Sequence, residues 1–164
     1  LSRIDAGLEK EIYMGNLNSL RDWGHAKDYV EMQWMMLQQE KPIDFVIATG
    51  RQESVRKFIE LTAKELNWGS IIWEGTGVNE IGRRADTNEI VIRIDEKYFR
   101  PTEVSTLLGD SKLATNKLGW VPKTTLEELV SEMVKVDKEE AQKELLLFKS
   151  GFKINSVREQ PPNL

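Results

Sequence analysis

The twelve residues SLRDWGHAKDYV, at positions 19–30, collect the side chains that first suggest chemistry. They include the only histidine, His25, with Asp22 three residues before it and Asp28 three residues after it. Neither spacing is a standard metal-ligand pattern, and a lone histidine without a clustered partner is weak evidence for a catalytic triad. The pattern therefore favours His25 as a helix-start residue that makes local hydrogen bonds.

Two arginines are better candidates, because each is predicted at a strand-to-helix junction, where ligands bind in α/β proteins. Arg21 precedes a helix predicted to begin near Gly24, and Arg100 follows the strand in VIRIDEKYF, where Pro101 stiffens the turn. A guanidinium group binds phosphate oxygens bidentately, so one arginine on each side would neutralise a pyrophosphate. Glu103, three residues after Arg100, would then be placed to accept hydrogen bonds from a ribose diol.

A purely structural role for both arginines is the alternative, in which each forms an ion pair with a nearby carboxylate. The possible partners are Asp22 or Asp28 for the first arginine, and Glu96 or Glu103 for the second. Spacing alone slightly favours this structural interpretation, since exposed ion pairs are common and weak.

Known cofactor and catalytic motifs are absent. Residues 75–82, GTGVNEIG, resemble a phosphate loop, but Glu80 stands where a dinucleotide fingerprint requires glycine. A P-loop would need lysine and then serine or threonine where Arg83 and Arg84 stand, so residues 75–88 are predicted to form a surface loop. The Tyr-x-x-x-Lys pair of short-chain dehydrogenases is missing too, because the fourth residues after the three tyrosines are Leu17, Gln33 and Thr102. We therefore assign no catalytic, cofactor-binding or metal-binding residue in this chain.

Composition indicates one globular domain. The chain has 164 residues, is 40% hydrophobic and 30% charged, and has no apolar run near the roughly 20 residues of a membrane span. A net charge of −4 argues against a nucleic-acid surface. The absence of cysteine excludes disulfides and thiol chemistry and is typical of a reducing cytosol, so we expect a cytoplasmic protein.

Apolar periodicity predicts alternating helices and strands, and hence an α/β or α+β fold. The predicted helices cover LSRIDAGLEKE, about 24–39, the run after Ser54, SKLATNKLGW, and the segment capped by Thr124 with Glu127 or by Thr125 with Glu128. The predicted strands are EIYMGN, 43–50, SIIWEG and 89–95. In the second helix, Ala26, Tyr29 and Val30 are expected to face the core, with Asp22 and Trp23 seating its start and holding the adjacent arginine.

Three segments carry a resemblance to a known family: GNLNSLRDWGHAKDYVEMQWMMLQQEKPIDFVIATG, YFRPTEVSTLLGDSKLATNKLGW and TLEELVSEMV. They resemble the C-terminal half of the GDP-mannose 4,6-dehydratase family, which belongs to the extended short-chain dehydrogenases that act on nucleotide sugars. The resemblance covers roughly residues 1–150. The sequence segments RDWGHAKDYV, MLQQ and YFRPTEV are closer to this family than to the wider superfamily.

The resemblance implies a Rossmann-type fold in which an N-terminal half binds NADP and a C-terminal half binds the nucleotide sugar. It also implies conversion of GDP-mannose to GDP-4-keto-6-deoxymannose. In relatives the arginines of RDW and RPxE hold the pyrophosphate and the acid of RPxE binds ribose, which here are Arg21, Arg100 and Glu103. Asn16, in GN, is a weaker candidate for a contact near the sugar nucleotide.

The sequence opens on Leu1 without an initiator methionine, and the family's catalytic and cofactor motifs would all lie upstream. We therefore expect residues 1–150 to be the nucleotide-sugar-binding region with the last elements of the Rossmann sheet, and 151–164 to be a polar tail. Alone, this region is expected to be inactive, to expose apolar faces such as that of residues 43–48, and to form a homo-oligomer. Another nucleotide-sugar epimerase or reductase, or a non-catalytic GDP-sugar-binding module, remain the alternatives.

Overall fold

A computed structural model describes residues 1–154 as a mixed α/β fold. Its elements in chain order are α1 (Ser2–Asp5), β1 (Ile12–Met14), β2 (Leu20–Asp22), α2 (Ala26–Leu37), β3 (Gln52–Ser54), α3 (Val55–Glu65), β4 (Ile71–Glu74), a 3₁₀ turn (Gly77–Asn79), β5 (Ile81–Arg84), β6 (Ile90–Ile94), α4 (Lys112–Leu118) and α5 (Leu126–Lys149). None of these helices has the combination of length and apolar character that crossing a bilayer requires.

Four strands form the main sheet in the order β1-β6-β5-β4. Strands β1 and β6 are parallel, whereas β5 is antiparallel to both β6 and β4. The strands β2 and β3 form a separate antiparallel ribbon in which Arg21 lies opposite Glu53. Seven elements separate β1 from β6 in the chain, yet the two strands are neighbours in the sheet. This pairing brings the segment after β1 close to the segment after β6.

The main core lies where α3 and α5 meet the sheet. Val91 and Ile92 of β6 are 1% and 0% exposed, so both faces of this central strand are buried. Ile59 on α3 and Val130 on α5 belong to the same cluster. Burying each such side chain contributes about 1.5–3 kcal/mol. This layer therefore supports the segments that follow β1 and β6. A smaller cluster, centred on Met32, joins α2 to α4.

The prediction of a buried strand at 43–50 was wrong. These residues form no strand pairing with any part of residues 1–154, and Val46 is 51% exposed while Ala48 is buried. A β-rich run becomes a strand only when a neighbouring backbone supplies the ladder of hydrogen bonds. The expectation that this segment exposes apolar side chains is confirmed.

The prediction of a loop over 75–88 was also wrong in part. Residues Ile81–Arg84 form β5, which pairs with strands on both sides. Arg83 pairs with Glu74 at 3.2 Å, and Arg84 pairs with Asp86 at 2.6 Å and stacks over the Trp68 ring at 4.2 Å. Both arginines are engaged by side chains at the β4–β5 end of the sheet, so the structure gives no support to a phosphate loop here.

Helix ends follow the sequence more closely. Ser54 caps α3 through a 3.0 Å hydrogen bond from the Lys57 backbone, as expected. In α5 the capping box uses Thr125 and Glu128, so the first-named pair was wrong and the alternative pair was right. The first predicted helix stops at Asp5, ahead of Gly7 at φ 74°. Of the predicted tail at 151–164, residues 155–164 lie outside the described part of the chain.

Candidate functional site

The loop after β1 is tied to the segment after β6 by one asparagine. Asn16 donates a 2.9 Å hydrogen bond from Nδ2 to the Arg100 carbonyl and accepts a 2.8 Å bond at Oδ1 from the Arg100 amide. Next to it, a Cβ on Gly15 would collide with the Tyr98 carbonyl, so only glycine permits this close approach. The Asn16 side chain therefore fixes the backbone of Arg100.

Arg21 reaches from β2 toward the same segment. Its Nη2 lies 2.8 Å from Oε1 of Glu103, and Nη1 donates to the carbonyls of Leu20 at 2.8 Å and Val104 at 3.2 Å. The side chains of Arg21 and Glu103 are 28% and 17% exposed. The guanidinium is thus held in a defined, partly buried orientation.

Arg100 approaches the same carboxylate from the other side. Its Nη1 lies 3.9 Å from Oε2 of Glu103, and its side chain is 77% exposed. Of the ion pairs that the sequence allowed, only the one between Arg100 and Glu103 is observed. Arg21 forms its ion pair with Glu103 and not with Asp22 or Asp28. The structure therefore brings the four predicted residues together, with Glu103 between the two arginines.

A cavity of about 310 Å³ opens beside this group. Its polar lining includes Asn16, Ser19, Glu103 and Ser105, and its apolar lining includes Leu17, Ile94, Phe99 and Pro101. Pockets that bind small molecules start near 300 Å³ and combine apolar walls with a few placed polar groups. The cavity has the size and mixture of groups expected for part of a nucleotide.

Sequence reasoning missed two cavity residues, Asn18 and Glu80. From the sequence, Glu80 is notable only as the residue that breaks a glycine fingerprint. Arg56 joins them, because its Nη2 lies 2.7 Å from Glu80 Oε1 and its Nε donates to Asn18 Oδ1 at 3.0 Å. The only signal in the sequence is the turn-forming composition of GVNE at 77–80. Periodicity cannot predict the contact between Arg56 and Glu80, which are 24 positions apart.

For Asp22 and Trp23 the prediction agrees with the structure in that both hold the strand of Arg21, and it was wrong in placing them at the start of α2. The Asp22 carboxylate accepts hydrogen bonds from the Thr49 amide at 2.8 Å, the Thr49 hydroxyl at 2.6 Å and the Gly50 amide at 2.9 Å. Trp23 donates from Nε1 to the Glu53 carbonyl at 2.9 Å. Both residues therefore fasten the β2–β3 ribbon that carries Arg21, and neither caps α2.

His25 is the N-cap of α2, as expected. Its Nδ1 accepts a 2.9 Å hydrogen bond from the Lys27 amide, and Nε2 lies 3.3 Å from Oε2 of Glu132 on α5. Ala26 and Val30, by contrast, are exposed, so the prediction that they anchor the helix in the core was wrong. Within residues 1–154 no group of three or more His, Cys, Asp or Glu side chains could hold a metal ion.

Asp28 is a buried carboxylate whose role is structural. It accepts hydrogen bonds from the amides of Lys123 at 3.1 Å and Thr124 at 2.9 Å, and so ties α2 to the turn before α5. Burial alone would raise the pKa of Asp28, but the hydrogen bonds from Thr124 and Lys123 outweigh it and lower that pKa.

We expect Asp28→Asn to lower the free energy of unfolding by about 1–3 kcal/mol at neutral pH, because charge-assisted bonds to two amides are weakened. Since the folded-state pKa is depressed, this contribution is present above the unfolded pKa of about 3.9 and is lost as pH falls through the folded value. Urea unfolding across pH 3–7 measures it. Asp44→Asn, at an exposed residue, is the control; an equal loss of stability in both variants would contradict the assignment.

The family profile of GDP-mannose 4,6 dehydratase matches residues 1–133. This chain belongs to that family. A GDP-mannose 4,6-dehydratase of Vibrio cholerae serotype O1 is 53% identical over 165 residues, covering 94% of this chain and 44% of the relative. The Homo sapiens enzyme is 51% identical over 139 residues, covering 85% of the chain and 37% of the relative. The chain thus spans less than half the length of these curated relatives.

The fold has solved counterparts. RMD from Pseudomonas aeruginosa, complexed with NADPH, superposes with a TM-score of 0.65 at 17% identity, covering 85% of this chain and 40% of that protein. At this identity the likeness concerns the fold alone, and it confirms the predicted class, part of an extended short-chain dehydrogenase of Rossmann type. Membership of a dehydratase family disfavours the epimerase, reductase and non-catalytic alternatives.

Proposed function

We propose that this chain is the substrate-binding part of a GDP-mannose 4,6-dehydratase and that it binds the GDP portion of GDP-mannose. The observation that carries the proposal is the meeting of Arg21 and Arg100 on one carboxylate at the cavity. Two guanidinium groups facing one carboxylate leave one positive charge uncompensated. A diphosphate supplies oxygen acceptors for the N–H groups of both guanidinium groups and balances that charge.

The order of the groups suggests how the nucleotide would lie. The cavity would take the base, Glu103 at its edge would accept hydrogen bonds from the ribose hydroxyls, and the exposed Arg100 would reach the diphosphate with Arg21. Because both ends of the Asn16 amide are occupied by the Arg100 backbone, we assign Asn16 as a positioning residue rather than a direct sugar contact.

The proposed reaction is the internal redox dehydration implied by the family. By that resemblance, GDP-mannose would be oxidised at C4, water would be lost across C5 and C6, and C6 would then be reduced, which gives GDP-4-keto-6-deoxymannose. NADP would accept and return the hydride. The residues of this chain do not fit an NADP site, because Glu80 interrupts the glycine pattern and the arginines beside it are engaged in the sheet. We therefore assign this chain the binding and orientation of the substrate only.

An apolar face supports docking of a cofactor-binding part of the same enzyme. Val30, Trp34 and Leu37 follow one another along α2 at helical spacing and are 60%, 62% and 82% exposed. Val46, which is 51% exposed, lines a shallow groove of about 390 Å³ together with Tyr29 of α2 and Arg21. Exposed apolar area of this kind also favours the homo-oligomer that we propose. A cytoplasmic location likewise remains a proposal.

Titration of GDP, GMP and guanosine into the chain tests the proposed binding. Each charge-assisted contact contributes about 1.5–3 kcal/mol, or about tenfold or more in affinity. We expect GDP to bind at least about a hundredfold more tightly than guanosine, with GMP between them, and the GDP affinity to fall as salt is added. Calorimetry measures this. Equal affinities for GDP and guanosine would exclude a diphosphate site.

A further inference from the structure

We propose that Glu80 reads the base and makes the cavity specific for guanine. This inference rests on the proposed function, because it assumes that the cavity takes the base of the nucleotide sugar. The side chain of Glu80 is 13% exposed and lines the cavity from the segment that follows the 3₁₀ turn. Glu103 lines the same cavity, but it contacts the two arginines and is assigned to the ribose in the proposed binding mode.

The Glu80 carboxylate is held firmly in place. Arg56 contacts its Oε1 at 2.7 Å. The Arg56 guanidinium is fixed in turn by its hydrogen bond to the side-chain Oδ1 of Asn18 and by the Trp73 ring, whose centroid lies 4.4 Å from the Arg56 Cζ. The backbone of Glu80 is also fixed, since its carbonyl accepts a 3.2 Å hydrogen bond from the Ile94 amide. Because the Glu80 side chain is already fixed, ligand binding does not have to pay the conformational entropy of ordering it. Its carboxylate can therefore discriminate between ligands.

The second carboxylate oxygen of Glu80 is available for a ligand. No hydrogen bond or ion pair to Oε2 is present within residues 1–154, whereas a carboxylate accepts about four hydrogen bonds. An acceptor-only group facing a binding cavity selects a ligand edge that presents N–H donors and repels an edge that presents carbonyl oxygens.

Among the common nucleobases, guanine best meets this requirement. Its N1–H and its 2-amino group are adjacent donors on one edge. Oε2 of Glu80 can accept one of them, and Oε1, which Arg56 contacts, keeps a second lone pair for the other. Uracil and thymine offer one N–H between two carbonyl oxygens, and adenine offers one amino group beside an acceptor nitrogen. The apolar lining supplied by Phe99 and Pro101 provides surfaces for the faces of a purine.

The test compares GDP, inosine diphosphate and UDP by calorimetry on the wild-type chain and on Glu80→Gln. Inosine diphosphate lacks only the 2-amino group. In the wild type we expect it to bind about tenfold more weakly than GDP, and UDP more weakly still, as expected when a charge-assisted bond is lost. In Glu80→Gln we expect GDP to weaken about tenfold while UDP is unchanged, so that discrimination between the bases shrinks.

Two results would overturn the assignment of Glu80 and leave the proposed function intact: equal binding of GDP and inosine diphosphate by the wild type, or an unchanged GDP-to-UDP ratio in the variant. The first needs no variant and is therefore independent of any folding defect caused by losing the Arg56 ion pair. Failure of the wild type to bind any of the three diphosphates would instead refute the proposed function itself.

Discussion

Arg21→Ala is expected to weaken GDP binding by about tenfold to a hundredfold. The variant removes a guanidinium that is already oriented by Glu103 and by two backbone carbonyls, so little conformational entropy is lost when it binds phosphate. One charge-assisted contact accounts for about 1.5–3 kcal/mol, which corresponds to that range of affinity. Calorimetric titration of GDP into wild type and variant measures the effect.

Two further variants separate charge from geometry. Arg21→Lys keeps the charge but loses the planar fork, so we expect it to recover only part of the affinity. Arg51→Ala removes the same charge at an exposed side chain whose guanidinium makes one hydrogen bond, at 3.4 Å to the Thr124 carbonyl. It should bind GDP nearly as well as the wild type. Equal weakening of GDP binding by Arg51→Ala and Arg21→Ala would show that general electrostatic attraction, and not a specific contact between Arg21 and the diphosphate, determines the affinity.

The pure 164-residue chain, given GDP-mannose and NADP, is expected to form no GDP-4-keto-6-deoxymannose. None of its three tyrosines has a lysine four positions later, and no glycine fingerprint is present. Loss of general acid–base catalysis alone costs about 10²–10⁴-fold in rate, and loss of the cofactor site adds to it. The expected effect is therefore complete loss of turnover together with retained GDP binding.

The assay follows the 4-keto product over hours at high protein concentration. The Vibrio cholerae dehydratase, which is 53% identical over the shared region, serves as the positive control. Turnover that co-purifies with the chain and rises in proportion to its concentration would show that the residues present here suffice for catalysis. That result would contradict the division of roles proposed above.

Local chemistry explains which parts of the fold and the site could be predicted. Ser54 caps α3 because a serine before an amphipathic run satisfies the first free amides wherever the helix packs. β6 was evident from its β-branched residues. Arg21 and Arg100 could be singled out because each follows a predicted strand, and their meeting at Glu103 follows from the parallel pairing of β1 with β6.

The failures concern features that depend on distant partners. Residues 43–50 have the composition of a strand but form no strand pairing within residues 1–154. β5 contains glycine and two arginines and looks like a loop, yet hydrogen bonds from strands on both sides override that preference. Ala26 and Val30 have helical spacing but both face outward, whereas Tyr29 packs against the Met32 cluster, since periodicity cannot say which apolar stripe finds a partner.

A crystal structure of this chain with GDP tests the central claim most directly. The account predicts diphosphate oxygens within hydrogen-bonding distance of the guanidinium groups of both Arg21 and Arg100, with the ribose hydroxyls on Glu103 and the base in the cavity. A diphosphate bound elsewhere, with Glu103 still bridging the two arginines as in the free chain, would contradict it.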